Sequence, residues 1–85
     1  MKEIRLLIHN TCSKELDADK IEVFNNALQD MIFNRSKNGE LSVDSNFMEF
    51  NNLPYNAEIR KLLGMDNWGK FMYLVNKEIK QITYN

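Results

Sequence analysis

His9 and Cys12 are the side chains best equipped for chemistry in this sequence, and they lie three positions apart near its start. A thiolate beside an imidazole base suits acyl transfer, and the same pair supplies two ligands of the kind zinc accepts. Neither set is complete. His9 is the only His and Cys12 the only Cys, whereas a zinc site takes four protein ligands, or three and a water. No carboxylate spacing singles out the missing members. The expectation is a polar residue at the end of a strand and a small half-buried thiol, with no metal and no cofactor.

The carboxylates invite the same test. Asp17 with Asp19, and Glu15 with Glu22, are pairs at the start of an expected helix, where acids cap the free N–H groups and complement the helix dipole. General acid–base work needs one of a pair in a desolvating pocket, and the end of a helix on a small domain is mostly wet. Gly39, Gly64 and Gly69 stand apart from one another, so no glycine-rich loop is available to cradle a phosphate. No catalytic residue is therefore expected, and the chain reads as non-enzymatic.

Two outward faces remain as binding candidates. From Asp66 onward the sequence reads as one amphipathic helix with Trp68, Phe71, Met72, Val75, Ile79 and Ile82 on its core side. Its other side gathers Lys70, Tyr73, Lys77, Lys80 and Tyr84. Lysines there suit phosphates and tyrosines suit base stacking, which is the outline of a small RNA- or DNA-binding regulator. Exposed tyrosine is equally enriched where proteins meet proteins. The second face is acidic: Asp19, Glu22, Asn26 and Asp30 on the outside of the first long helix.

The elements that position these faces follow from spacing and breakers. Residues 3–9 alternate, with Ile4, Leu6 and Ile8 on one side, and read as a first strand; a short helix is the alternative. Asn10 to Ser13 forms a turn. A helix follows from Asp17 or Asp19 to about Arg35, its stripe Ile21, Phe24, Leu28, Met31 and Ile32, with Asp19 and Glu22 as a capping-box-like start and Asn38 or Gly39 as its stop. Residues 40–50, with Asp44-Ser45-Asn46 between short apolar runs, read as a β-hairpin; the rival is a helix starting at Asp44.

Pro54 breaks the chain, and Asn56 is placed to cap a short helix over residues 57–63 that turns Ile59, Leu62 and Leu63 inward. Gly64 ends that helix. Gly69 lowers the stability of the last one by up to about 1 kcal/mol relative to Ala, which a close neighbour would explain. The expected fold is α+β in the order β-α-β-β-α-α, an antiparallel sheet packed on helices, with an all-α bundle as the alternative. A helix-turn-helix is suggested by the helix–Gly–helix run of residues 56–84, but only Asn67, Gly69 and Lys70 are offered near its turn, and strands rather than a helix are expected before it.

Totals narrow the roles further. Eighty-five residues suit one domain, 1–85. With 44% hydrophobic and 27% charged residues, the composition is that of a globular chain. The net charge of -1 conceals an asymmetry: residues 13–50 carry four basic and eight acidic side chains, residues 59–85 five basic and two acidic. One Cys points to a reducing compartment, and no apolar run reaches a membrane span or a signal sequence, so a cytoplasmic address is expected, that of the host if the gene is a phage's. The many Asn and Lys residues suit an AT-rich gene such as those of many phages and low-GC bacteria. The expected function is a protein-binding module without enzymatic activity, of the kind by which a phage or mobile element inhibits a host factor such as a defence nuclease. Its partner is expected to be a protein, with nucleic acid as the alternative; monomer and small homo-oligomer are both open.

Overall fold

A computed structural model describes residues 1–38 and 51–84, with side-chain surroundings for 1–34 and 51–81. Three helices make up the described fold: α1 (Lys2–Cys12), α2 (Ala18–Asn38) and α3 (Asn56–Tyr84). No strand occurs among the described residues, so the α+β expectation is corrected to an all-helical arrangement. The expected hairpin of residues 40–50 lies outside the described residues.

The first strand fails for a physical reason. Ile4 and Ile8 satisfy both an alternating and a helical repeat. Cys12, also buried, fits both series, but Leu6 and Asn10, which a strand would have placed beside them, are exposed, Leu6 at 50%. Lys2, Glu3, Arg5, Leu6 and Leu7 are all competent helix formers, which outweighs two β-branched residues. Near the end of α1, the Thr11 hydroxyl donates to the Leu7 carbonyl at 2.6 Å. The chain then turns tightly: Ser13 N–H donates to the His9 carbonyl at 3.0 Å and Leu16 N–H to that of Cys12 at 2.9 Å.

In α2 the expected stripe is the observed one, with Ile21, Phe24, Leu28, Met31 and Ile32 all buried. Its N-cap is Asp17, whose carbonyl accepts from Ile21 N–H at 3.1 Å, and Asp19 sits in the first turn, where its charge meets the helix dipole. At the other connection Tyr55 holds a left-handed φ of 61° and its carbonyl accepts from Ile59 N–H at 3.0 Å. Tyr55 therefore occupies the cap position expected for Asn56. Asn56 is buried within the first turn, its Oδ1 without a protein partner.

Gly64 divides α3 into a short and a long limb, with φ 73° and ψ 176°. That pairing is accessible to glycine and costs other residues strain. Gly69 has no comparable reason, because a Cβ built there meets nothing within 4 Å, and the neighbour expected beside it is absent.

Both α1 and α2 pack chiefly on α3, and the core lies among the three. Ile4, Ile8 and Cys12 meet the α2 stripe and Ile59, Leu63, Phe71, Leu74, Val75 and Ile79 of α3. The aromatic centre is Phe24 with Phe71, both fully buried, their ring centroids 6.2 Å apart. Trp68 stands one step further out, partly buried, 5.0 Å from the Phe71 ring on one side and 5.1 Å from the Arg60 guanidinium carbon on the other. Phe71, not Trp68, anchors the last helix.

Candidate functional site: the outer face of α3

The long limb of α3 buries Phe71, Leu74, Val75 and Ile79 against the other helices, and this fixes what its opposite side must present. Lys70, Tyr73, Lys77 and Lys80 are all exposed there, as the amphipathic pattern requires. Tyr84 belongs to the same helix, but its side chain lies outside the described surroundings. Met65, which sequence reasoning passed over, and Gly69 complete the face. Met65, just past the Gly64 break, is 92% exposed, and Gly69 lies between it and Tyr73, which is 65% exposed. At four-residue spacing, Met65, Gly69 and Tyr73 follow one line along the helix. The result is a large apolar projection, an open notch and an aromatic projection, bordered by three lysines and one exposed carboxylate, Asp66.

Beside this line, Lys70 and Leu74 of α3 face Glu3, Leu6, Leu7 and Asn10 of α1 across a groove of about 300 Å³. The exposed half of Leu6 thus extends the apolar surface from α3 onto α1. Met65 has a different setting, close to Arg60, Lys61 and Trp68 at the bend of α3.

The acidic face of α2 is also where the sequence placed it, with Asp19, Glu22, Asn26 and Asp30 all exposed. Its electrostatics differ from the expectation, because α1 reaches over one edge of it. The Arg5 guanidinium donates to Gln29 Oε1 at 2.6 Å and to Asn26 Oδ1 at 3.5 Å, and lies 3.9 Å from a Glu22 carboxylate oxygen. Glu22 and Asn26 are thereby drawn together under a cation of the same chain. Asp19 and Asp30 are left facing outward, with Val23 (47% exposed) and Phe33 (59% exposed) as their apolar neighbours on α2.

His9 and Cys12 separate in character. Both belong to α1, so His9 is a helical residue near its end and not the strand-end residue expected. His9 is exposed, whereas Cys12 is fully buried, and burial pushes its thiol above the ordinary range. A thiol in that state is a poor nucleophile. Among the described residues no cluster of three or more His, Cys, Asp or Glu side chains is placed to hold a metal. Glu15, Asp17, Asp19 and Glu22 are all exposed, the setting of caps and dipole partners.

The α1–α2 side holds one more polar feature. Asn25 is buried, its Oδ1 has no protein partner, and it lines a groove with Arg5, His9, Ser13 and Glu22.

The helix-turn-helix outline gains one point and loses another. A helix, α1, does stand where a strand was expected, which removes one objection. The start of the long limb nevertheless spends Trp68 and Phe71 on packing, and its outward residues there are Met65, Asp66, Gly69 and Lys70, a thin set for reading bases. No described helix is long and apolar enough to cross a membrane. Comparison with protein-family models, curated proteins and solved structures returns no match to this chain.

Proposed function

We propose that this chain is a non-enzymatic module that binds another protein through the outer face of α3. The observation that carries the reading is the Met65–Gly69–Tyr73 line. An almost fully exposed Met, an unfilled notch and an exposed Tyr present shape and apolar area, and bordering lysines add sign. Met and Tyr are enriched at protein interfaces, and charge at the rim steers encounter more than it adds affinity. The pattern favours a protein over a nucleic acid because its centre is apolar and its basic residues stand at the margin. A polyanion would be met by a dense cationic track. Here Lys70, Lys77 and Lys80 are single charges spaced along the limb, the exposed Arg60 and Lys61 sit at the bend beside Met65, and Asp66 offsets part of the charge.

Within this proposal, the module is an accessory protein of a phage or mobile element, acts in the host cytoplasm, and inhibits a host factor such as a defence nuclease. Support for that setting comes from the Asn- and Lys-rich composition.

The test is affinity capture from a candidate host lysate, with and without nuclease treatment, using the wild-type chain and a Met65→Ala/Tyr73→Ala variant. Both residues are exposed, so the variant retains the core. The expected result is a stoichiometric protein held by the wild type, insensitive to nuclease and lost with the variant. Equal retention by both chains, or retention that disappears with nuclease, overturns the reading.

A further inference from the structure

The two outward faces differ in sign, and each combines charge with apolar projections. On α3, Met65 and Tyr73 stand about 12 Å apart along the helix, at about 1.5 Å per residue, with Gly69 open between them and lysines alongside. On α2, Val23 and Phe33 stand about 15 Å apart by the same measure, with Asp19 and Asp30 beside them. One face is basic with a notch; the other is acidic with two apolar projections of similar reach. A protein surface that complements the α3 face is therefore already present on the chain itself.

We propose that α2 of one copy docks on α3 of another, so that the chain associates head to tail with a second copy of itself. This inference rests on reading the outer face of α3 as a protein-docking surface, and it names the first partner of that surface. The apolar contact comes from Val23 and Phe33 meeting Met65 and Tyr73, where Gly69 lets the incoming helix approach the α3 backbone. Asp19 and Asp30 meet Lys70, Lys77 and Lys80 around it. Opposite charges at the rim set orientation and suppress the like-charged pairings of α2 with α2 and α3 with α3.

Because the two patches differ, the contact is heterologous. Each copy that docks leaves one α2 face and one α3 face unoccupied, so assembly grows with concentration unless its rotation closes a ring. Arg5 takes part from within: it offsets part of the charge of the still exposed Glu22 at one edge of α2, which shifts the weight of that face's negative charge toward Asp19 and Asp30.

Sedimentation velocity on the full chain over a wide concentration range tests this, with Tyr73→Asp to disable the α3 face and Phe33→Asp to disable the α2 face. Both side chains are exposed, and circular dichroism is to check that each variant keeps its helices. The wild type is expected to gain mass with concentration and to lose it on addition of salt. Each variant alone is expected to stay monomeric. Mixed, they are expected to give a species of twice the monomer mass and nothing larger, since the Tyr73→Asp chain still offers α2 and the Phe33→Asp chain still offers α3.

A wild type that is monomeric at every concentration overturns self-docking while leaving the capture experiment above to decide whether α3 binds another protein. Assembly that survives in either single variant, or variants that remain monomeric when mixed, overturns it equally. Wild-type mass that rises only when an oligonucleotide is added assigns the lysines to nucleic acid and overturns it as well.

Discussion

Arg5 on α1 donates a 2.6 Å hydrogen bond to Gln29 on α2, and the same guanidinium carries Asn26 and Glu22 within reach. The contact joins residues 24 positions apart, ties together the two helices that otherwise meet mainly through α3, and lowers the acidity of the α2 surface at one edge. Its electrostatic part is small, because Glu22 is exposed and Arg5 partly so, and such pairs contribute roughly 0–1 kcal/mol.

Arg5→Met keeps the aliphatic stem and removes the cation. Stability is expected to fall by no more than about 1 kcal/mol, the scale of one net hydrogen bond. Urea denaturation measures this loss. Surface charge should change more than stability: binding of a cationic probe dye to the α2 face is expected to strengthen as Glu22 loses its internal partner. A loss of several kcal/mol would show that Arg5 holds the fold and not merely the edge of a face.

Phe71 and Trp68 are expected to rank in the order of their burial. Phe71 is fully enclosed between Phe24 and Trp68, and truncating a buried Phe costs about 3–5 kcal/mol, a large share of the stability of so small a domain. Trp68 is only partly buried and keeps one side toward Arg60, so Trp68→Ala is expected to cost less than Phe71→Ala. Midpoints of urea unfolding for the two variants, with Phe71→Leu as a milder substitute, decide the order. The reverse ranking would return Trp68 to the centre of the core.

How far the sequence could be read depended on how many repeats each pattern spans. The α2 stripe runs through Ile21, Phe24, Leu28, Met31 and Ile32, several turns that only a helix satisfies, and all five are buried. Ile4 to Ile8 is little more than one helical turn, over which alternation and helical spacing share Ile4 and Ile8; the exposure of Leu6 and Asn10 separates them. The lysine and tyrosine face was legible because amphipathicity assigns sides to a long helix. Met65 was not, because an apolar residue next to a turn Gly looks the same whether it packs or projects. The bridging by Arg5 is a product of how α1 lies across α2, and no local spacing encodes it. The cap at Asn56 was misplaced by one residue, because Asn is the better cap by type while the left-handed φ at Tyr55 sets where the helix begins.

The two glycines of α3 are expected to respond in opposite directions to alanine. Space is open at both, since a Cβ at either meets nothing within 4 Å. At Gly64 the backbone decides: φ 73° with ψ 176° strains an L-residue, and Gly64→Ala is expected to destabilise by about 1–3 kcal/mol. At Gly69 the backbone is helical and exposed, so Gly69→Ala is expected to stabilise by up to about 1 kcal/mol. Thermal unfolding of the pair separates them. If Gly69→Ala also lowers the melting temperature, α3 is not a regular helix at that position.

Cys12 gives the fold a specific dependence on alkaline pH. Its thiol is buried at the end of α1, and desolvation raises it above the ordinary value of 9.0, so the folded chain holds that proton more tightly than the unfolded chain does. Well below pH 9 both states keep the proton and the thiol contributes no slope. As pH rises past that value the unfolded chain releases its proton first, unfolding becomes easier, and stability falls until the folded thiol also ionises. One group can contribute at most about 1.4 kcal/mol per pH unit over that window. The measurement is a difference, which isolates the thiol from every other group: urea midpoints for the wild type and Cys12→Ala, taken from below to above pH 9. The wild type is expected to lose stability more steeply than the variant, although the variant begins lower because of the cavity it leaves. Parallel slopes would show that the thiol is solvated in the folded chain. In that case a thiol reagent would label native Cys12 quickly, where a buried thiol reacts only at the rate of opening.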